Sequence, residues 1–64
     1  MDDVTADMVR LLCTRAGMIM EDARAAAILI GSSTRAEMLV TIDELQIQTT
    51  RSAELLAAAR AMLD

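Results

Sequence analysis

The feature that most constrains the fold is a single interruption in an otherwise uniformly helix-forming chain. The 64 residues contain no proline and only two glycines. Most of the other positions hold strong helix formers such as Ala, Leu, Met, Glu and Arg. No long segment alternates polar and apolar residues with the period of two that a half-buried strand requires. The sequence therefore predicts an all-α fold with one break.

The break is predicted between Ile30 and Arg35. Gly31 is expected to end the first helix in the left-handed conformation. Thr34, with Glu37 three residues later, has the pattern of a capping box that starts a second helix. A connection this short makes the two helices antiparallel neighbours. The prediction is one helical hairpin over residues 1–64, with helix 1 at about 4–30, a turn at 31–34 and helix 2 at about 35–63.

Each predicted helix carries an apolar stripe with the three- and four-residue spacing that places side chains on one helix face. In helix 1 the stripe is Val9, Leu12, Ala16, Ile19, Ala23, Ala26 and Ile30. In helix 2 it is Met38, Ile42, Leu45, Thr49, Ser52, Leu56, Ala59 and Leu63.

Small residues are predicted to meet at the middle of the hairpin, where Ala16 and Gly17 lie opposite Thr49 and Ser52. The hydroxyl groups there can bond to backbone carbonyls four residues earlier and bend helix 2. A continuous helix 2 is expected, with a break at 49–52 as the alternative.

Helix 1 has more apolar surface than one neighbouring helix can cover, and helix 2 also has apolar residues outside its stripe. A domain this small usually needs a disulfide, a metal or oligomerisation. The chain has one cysteine and no histidine, which removes a disulfide and the common zinc sites. Cys13 is expected to be a small buried hydrophobic residue. We therefore predict a homodimeric four-helix bundle. The candidate dimer interface is Leu11, Met18, Val40 and Ile47.

Charged residues suggest how two hairpins would be oriented. Arg15 and Arg51 are predicted at one level of the hairpin, about two turns from a group of four carboxylates. That group is Glu21, Asp22, Asp43 and Glu44. An antiparallel dimer would bring the carboxylates of each chain near the arginines of the other. Exposed pairs of this kind would select the orientation more than they would add affinity.

The composition also narrows the function. Without histidine the chain lacks the usual general base, and a net charge of −4 weakens binding to the phosphates of nucleic acid. We expect a non-enzymatic protein–protein interaction module without a cofactor, acting as a scaffold, adaptor, docking segment or small regulator. Its partner is expected to be a second copy or another helical protein, rather than nucleic acid or membrane. The longest charge-free stretch, 25–34, is too short to span a bilayer, and a cytoplasmic location is expected from the lone cysteine and the acidic N-terminus.

Two alternatives remain at this point. The four carboxylates could form an oxygen-only site for magnesium, calcium or manganese. In length and hairpin form the chain is also similar to the plasmid-encoded RNA-binding Rop family of dimeric four-helix bundles. That resemblance implies a small nucleic-acid-associated regulator, although no motif is shared and no residue role is transferred.

Overall fold

The computed structural model describes residues 2–64, with all of their side chains except that of Ser32, and these residues form helices and no strand. Helix α1 spans Asp3–Leu29 and helix α2 spans Arg35–Leu63. A short 3-10 helix over Ile30–Ser32 joins them. The two long helices pack lengthwise in a rod of 50 × 15 × 11 Å. The predicted all-α helical hairpin is confirmed.

Both long helices begin at a side-chain cap. The Asp2 carboxylate accepts hydrogen bonds from the backbone N–H of Thr5, at 2.6 Å, and from its hydroxyl; these bonds hold the pKa of Asp2 below its usual value. The capping box of α2 is confirmed, because the Glu37 N–H donates to the Thr34 hydroxyl and the Thr34 N–H donates to the Glu37 carboxylate. The Thr34 hydroxyl also donates to that carboxylate, at 2.8 Å, and is the main cause of the lowered pKa of Glu37.

The turn differs from the prediction at Gly31. No residue in the described part of the chain has a positive φ angle, so the expected left-handed conformation of Gly31 is wrong. The end of α1 instead tightens into the 3-10 helix, and the Ser33 N–H donates to the Ile30 carbonyl at 3.1 Å. A 3-10 turn of this kind satisfies the last carbonyls of a helix without a left-handed residue. Ser33 and Thr34 are extended and reverse the chain.

The interior of the hairpin is built from small residues at its middle. The whole predicted stripe of α1 is buried or half-buried. Ala16 is completely buried, and Ser52 of α2 is 4% exposed. Gly17 and Thr49, which were predicted to share this contact, are exposed instead.

Helix α2 is continuous through residues 49–52. The hydroxyls of Thr49, Thr50 and Ser52 donate to the carbonyls four residues earlier, at 2.7, 3.0 and 2.9 Å. This is the predicted bonding pattern, and it satisfies these polar groups without breaking the helix.

The face of α2 that packs on α1 is rotated from the predicted one. The shared row Met38, Leu45, Ser52 and Ala59 is buried or half-buried as predicted. Its second row is Thr41, Gln48 and Leu55, whereas the predicted second row of Ile42, Thr49, Leu56 and Leu63 is exposed. Apolar residues flank the shared row on both sides, so the helical spacing fits the predicted second row and the observed second row equally well. The rotation leaves large apolar side chains uncovered, and it leaves the Gln48 carboxamide oxygen buried without a hydrogen-bond partner among the described residues.

Candidate interaction surfaces

The hairpin exposes more surface than a compact chain of its size. Its accessible area is 4990 Å², whereas a compact monomer of 6.9 kDa exposes about 4,000 Å². The three buried apolar residues of the described chain are all alanines. The excess of about 1,000 Å² is close to the roughly 800 Å² that each partner buries in a typical stable interface.

The four predicted interface residues are exposed, each to between 44% and 61%. Leu11 and Met18 are seven residues apart on α1, and so are Val40 and Ile47 on α2, so each pair occupies one helix face. We call the surface formed by these four residues the Met18 face. Val4, Met8 and Leu29, which are also exposed, extend it along α1.

The Met18 face is formed by residues of both helices on one side of the hairpin. A shallow groove is lined by Arg15, Met18, Ile19, Asp22 and Leu55. An adjoining groove is lined by Ile19, Arg51, Glu54 and Leu55. Glu54 follows Ile47 by seven residues and therefore lies in the same row of α2. The two rows of the Met18 face consequently lie on the same side of the molecule.

Besides Glu54, four charged residues on the side of the Met18 face follow a regular order. Arg15 and Asp22 are seven residues apart on α1, and Glu44 and Arg51 are seven apart on α2, a separation of about 10 Å. Because the helices are antiparallel, the two arginines lie at one level of the hairpin and the two carboxylates at another. The ion pair of the described residues is Arg10 with Asp7, at 3.0 Å and fully at the surface, so these four charges find no such partner within the hairpin.

The other two carboxylates of the predicted group do not join Asp22 and Glu44. Glu21 and Asp43 precede them by one residue, which places them about 100° away on the outer edges of the helices. Within residues 2–64, no three Cys, Asp or Glu side chains are close enough together to hold a metal ion. The described residues therefore do not assemble the oxygen-only metal site that was the alternative.

A second exposed apolar surface lies on the opposite side of the hairpin, and sequence reasoning missed it. It consists of Met20, Ile42, Leu56 and Leu63, each between 41% and 56% exposed; we call it the Leu56 face. Its signal was present in the spacing of Ile42, Leu56 and Leu63, which was assigned to the contact between the helices. Cys13 lies beside this face and is exposed, so its predicted burial is wrong for the hairpin alone.

Neither described helix has an apolar stretch long enough to span a membrane. No protein-family model matches the chain, and no curated protein or solved structure shows significant similarity to it. The exposed faces of the hairpin are therefore the features that bear on its function.

Proposed function

We propose that this chain is a non-enzymatic protein–protein interaction module of the cytoplasm that acts as a homodimer, with two hairpins joined through their Met18 faces into a four-helix bundle. The observation that carries the proposal is the excess exposed area, which matches what one partner of a stable dimer buries. A large, mostly apolar exposed surface on a small protein is typical of an interaction site.

The order of charges on the Met18 face supports one orientation of the dimer. A two-fold axis that crosses the helices at the level of Met18 reverses the partner, so that α1 packs on α1 of the partner. Arg15 and Asp22 are symmetric about this level, so Arg15 meets the partner's Asp22. Glu44 and Arg51 are related in the same way on α2. The opposite orientation, with both turns at one end, sets arginine near arginine and carboxylate near carboxylate.

The apolar ends of the same row fit this orientation too. On α1 the row reads Met8, Arg15, Asp22 and Leu29 at seven-residue intervals. Reversal of the partner places Met8 against the partner's Leu29 and leaves the two charges between them. The row is therefore complementary to itself only when the two chains run in opposite directions.

Glutamate substitutions test the proposed face. Met18→Glu with Ile47→Glu removes two large apolar contacts from each chain, each contributing about 1.5–3 kcal/mol when fully buried. We expect this variant to sediment as a single chain at micromolar concentration. The matched control is Ile28→Glu with Ala57→Glu, which adds the same charges on the exposed outer edges of both helices and should remain dimeric. A Met18→Glu, Ile47→Glu variant of unchanged mass would refute the Met18 face as the interface.

A charge exchange tests the orientation. Arg15→Glu or Asp22→Arg alone creates like-charge contacts across the dimer and should weaken it severalfold, since each exposed pair contributes about 0–1 kcal/mol. The two changes combined in one chain recreate the opposite-charge contacts and should restore the affinity. Additive weakening in the combined variant would rule out the antiparallel orientation.

A further inference from the structure

Helix α2 carries two rows of residues that can each complete its contact with α1. The row in contact, which we call the Gln48 row, consists of Thr41, Gln48 and Leu55. The alternative, which we call the Thr49 row, consists of Ile42, Thr49, Leu56 and Leu63. Both rows flank the one that contains the buried Ser52 and Ala59, and they point about 100° apart. The helical spacing therefore allows two packed rotations of α2.

The row in contact with α1 is the less apolar of the two. Its large apolar residue is Leu55, whereas the Thr49 row holds three, each between 41% and 56% exposed. The Gln48 carboxamide oxygen is buried without a hydrogen-bond partner among the described residues, which is unfavourable. The Thr49 hydroxyl already donates to the Leu45 carbonyl at 2.7 Å. Packing of the Thr49 row on α1 would therefore cover more apolar surface and return the carboxamide to water.

Little in the contact between the helices holds α2 at one rotation. Ala16, Ser52 and Ala59 are buried there, and no large side chain of the described residues is completely buried, so large side chains do not lock the two helices together. Exchange of the two rows takes a rotation of α2 by about 50°, half the angle between them. At a helix radius of about 2.3 Å, this rotation moves each Cα atom by about 2 Å. The extended residues Ser33 and Thr34 of the turn can absorb such a shift.

We propose that α2 rotates about its own axis between the observed packing and a second packing in which the Thr49 row faces α1, and that the dimer forms only from the observed packing. Val40 and Ile47 precede the Gln48 row by one residue and lie on its far side from Ser52. The rotation turns them from the Met18 face to the outer edge of α2, where they cannot meet a second copy joined at that face. The link to the dimer rests on the proposed function, whereas the rotation itself does not.

Thiols at two adjacent positions of α2 measure the rotation. Thr41→Cys and Ile42→Cys are made separately in full chains that carry Cys13→Ser, so that each chain has one thiol. Position 41 is half-buried and position 42 is exposed in the observed packing, and the rotation reverses this order. Each chain is combined with Gln48→Leu, which favours the observed packing, or with Thr49→Leu, which favours the second. Burial of the added leucine should shift the equilibrium about tenfold or more.

The two thiols should respond in opposite directions to a thiol reagent. Thr49→Leu should slow the reaction at position 42 and accelerate the reaction at position 41, and Gln48→Leu should do the reverse at both positions. The matched control is Ala57→Leu on the outer edge of α2, which should change neither rate. Slower reaction at position 42 without faster reaction at position 41 would mean local shielding and would overturn the rotation. Rates that none of the three leucines changes would overturn it as well.

Sedimentation of the same leucine variants, with Cys13 retained, tests the link to the dimer. Thr49→Leu should weaken the dimer severalfold, because a smaller fraction of the chains is then competent to associate, and Gln48→Leu should not weaken it. Equal dimer affinity of these two variants, together with opposite changes in the thiol rates, would overturn the link. A monomeric mass of the unmodified chain would refute the proposed function, while the thiol rates would still decide whether α2 rotates.

Discussion

Replacement of Ala16 by leucine is expected to destabilise the hairpin. Ala16 is completely buried, and Ser52 of the other helix is 4% exposed, so a leucine at position 16 must place three further carbon atoms in the interior of the hairpin. Overpacking of such a site costs about 1–3 kcal/mol. The difference in helix propensity between alanine and leucine is only a few tenths of a kcal/mol. For a chain of this size the expected fall in Tm is about 4–24 °C.

The neighbouring residue provides a matched control of opposite sign. A Cβ atom added at Gly17 meets nothing within 4 Å. Gly17→Ala should therefore stabilise α1 by about 0.5–1 kcal/mol, because a glycine inside a helix costs backbone entropy. Two adjacent substitutions that both enlarge a side chain should thus change the stability in opposite directions.

Thermal unfolding followed by far-ultraviolet circular dichroism measures both variants, at one fixed protein concentration because an associating chain has a concentration-dependent Tm. A raised Tm for Ala16→Leu would show that the middle of the hairpin has room for a larger side chain, and it would refute close packing around Ala16. A lowered Tm for Gly17→Ala would show that its Cβ is obstructed.

Three further predictions concern the caps and the buried amide. Thr34→Ala removes the Thr34 hydroxyl, which accepts from the Glu37 N–H and donates to the Glu37 carboxylate. It should lower the free energy of unfolding by about 0.5–2 kcal/mol, measured by urea unfolding, while Thr34→Ser should retain most of the stability. Gln48→Leu removes the unpartnered buried oxygen and should raise the Tm, since such a group costs about 1–3 kcal/mol; a lower Tm would mean that this oxygen has a partner in the native assembly. Hydrogen bonds lower the pKa of Asp2 and of Glu37 in the folded chain. The stability that these two carboxylates contribute is therefore present above the unfolded carboxyl pKa of about 4 and is lost as the pH falls through the folded pKa. Urea midpoints measured against pH should fall in acid, and they should fall less in the Glu37→Gln variant.

Local sequence determined the hairpin because one break separates two long helix-forming segments. The capping box of α2 was predictable because its bonds join residues only three apart. The conformation of Gly31 was not, because a 3-10 turn satisfies the end of α1 as well as a left-handed glycine does. Local interactions decide both the capping box and the conformation of Gly31. For the capping box they allow one arrangement, whereas for the end of α1 they allow two.

The packed face of α2 was not predictable from spacing alone. Leu55 and Leu56 are adjacent and both lie at helical spacing from Ser52, so either can join the contact with α1. The shape of the facing helix decides between them, and that information is absent from the α2 sequence. The error concealed the Leu56 face. The exposure of Leu11, Met18, Val40 and Ile47 was predictable because they lie outside the stripe under either choice, and their role in an interface remains a prediction.

Sedimentation equilibrium of the unmodified chain, combined with the thiol reactivity of Cys13, tests the proposed dimer most directly. We expect twice the chain mass of 6.9 kDa at micromolar concentration, with Cys13 as reactive as in the denatured chain, because dimerisation through the Met18 face leaves it exposed. A helical chain that keeps its single-chain mass at all concentrations would contradict the dimer. A dimer in which Cys13 is protected would place the interface on the Leu56 face instead.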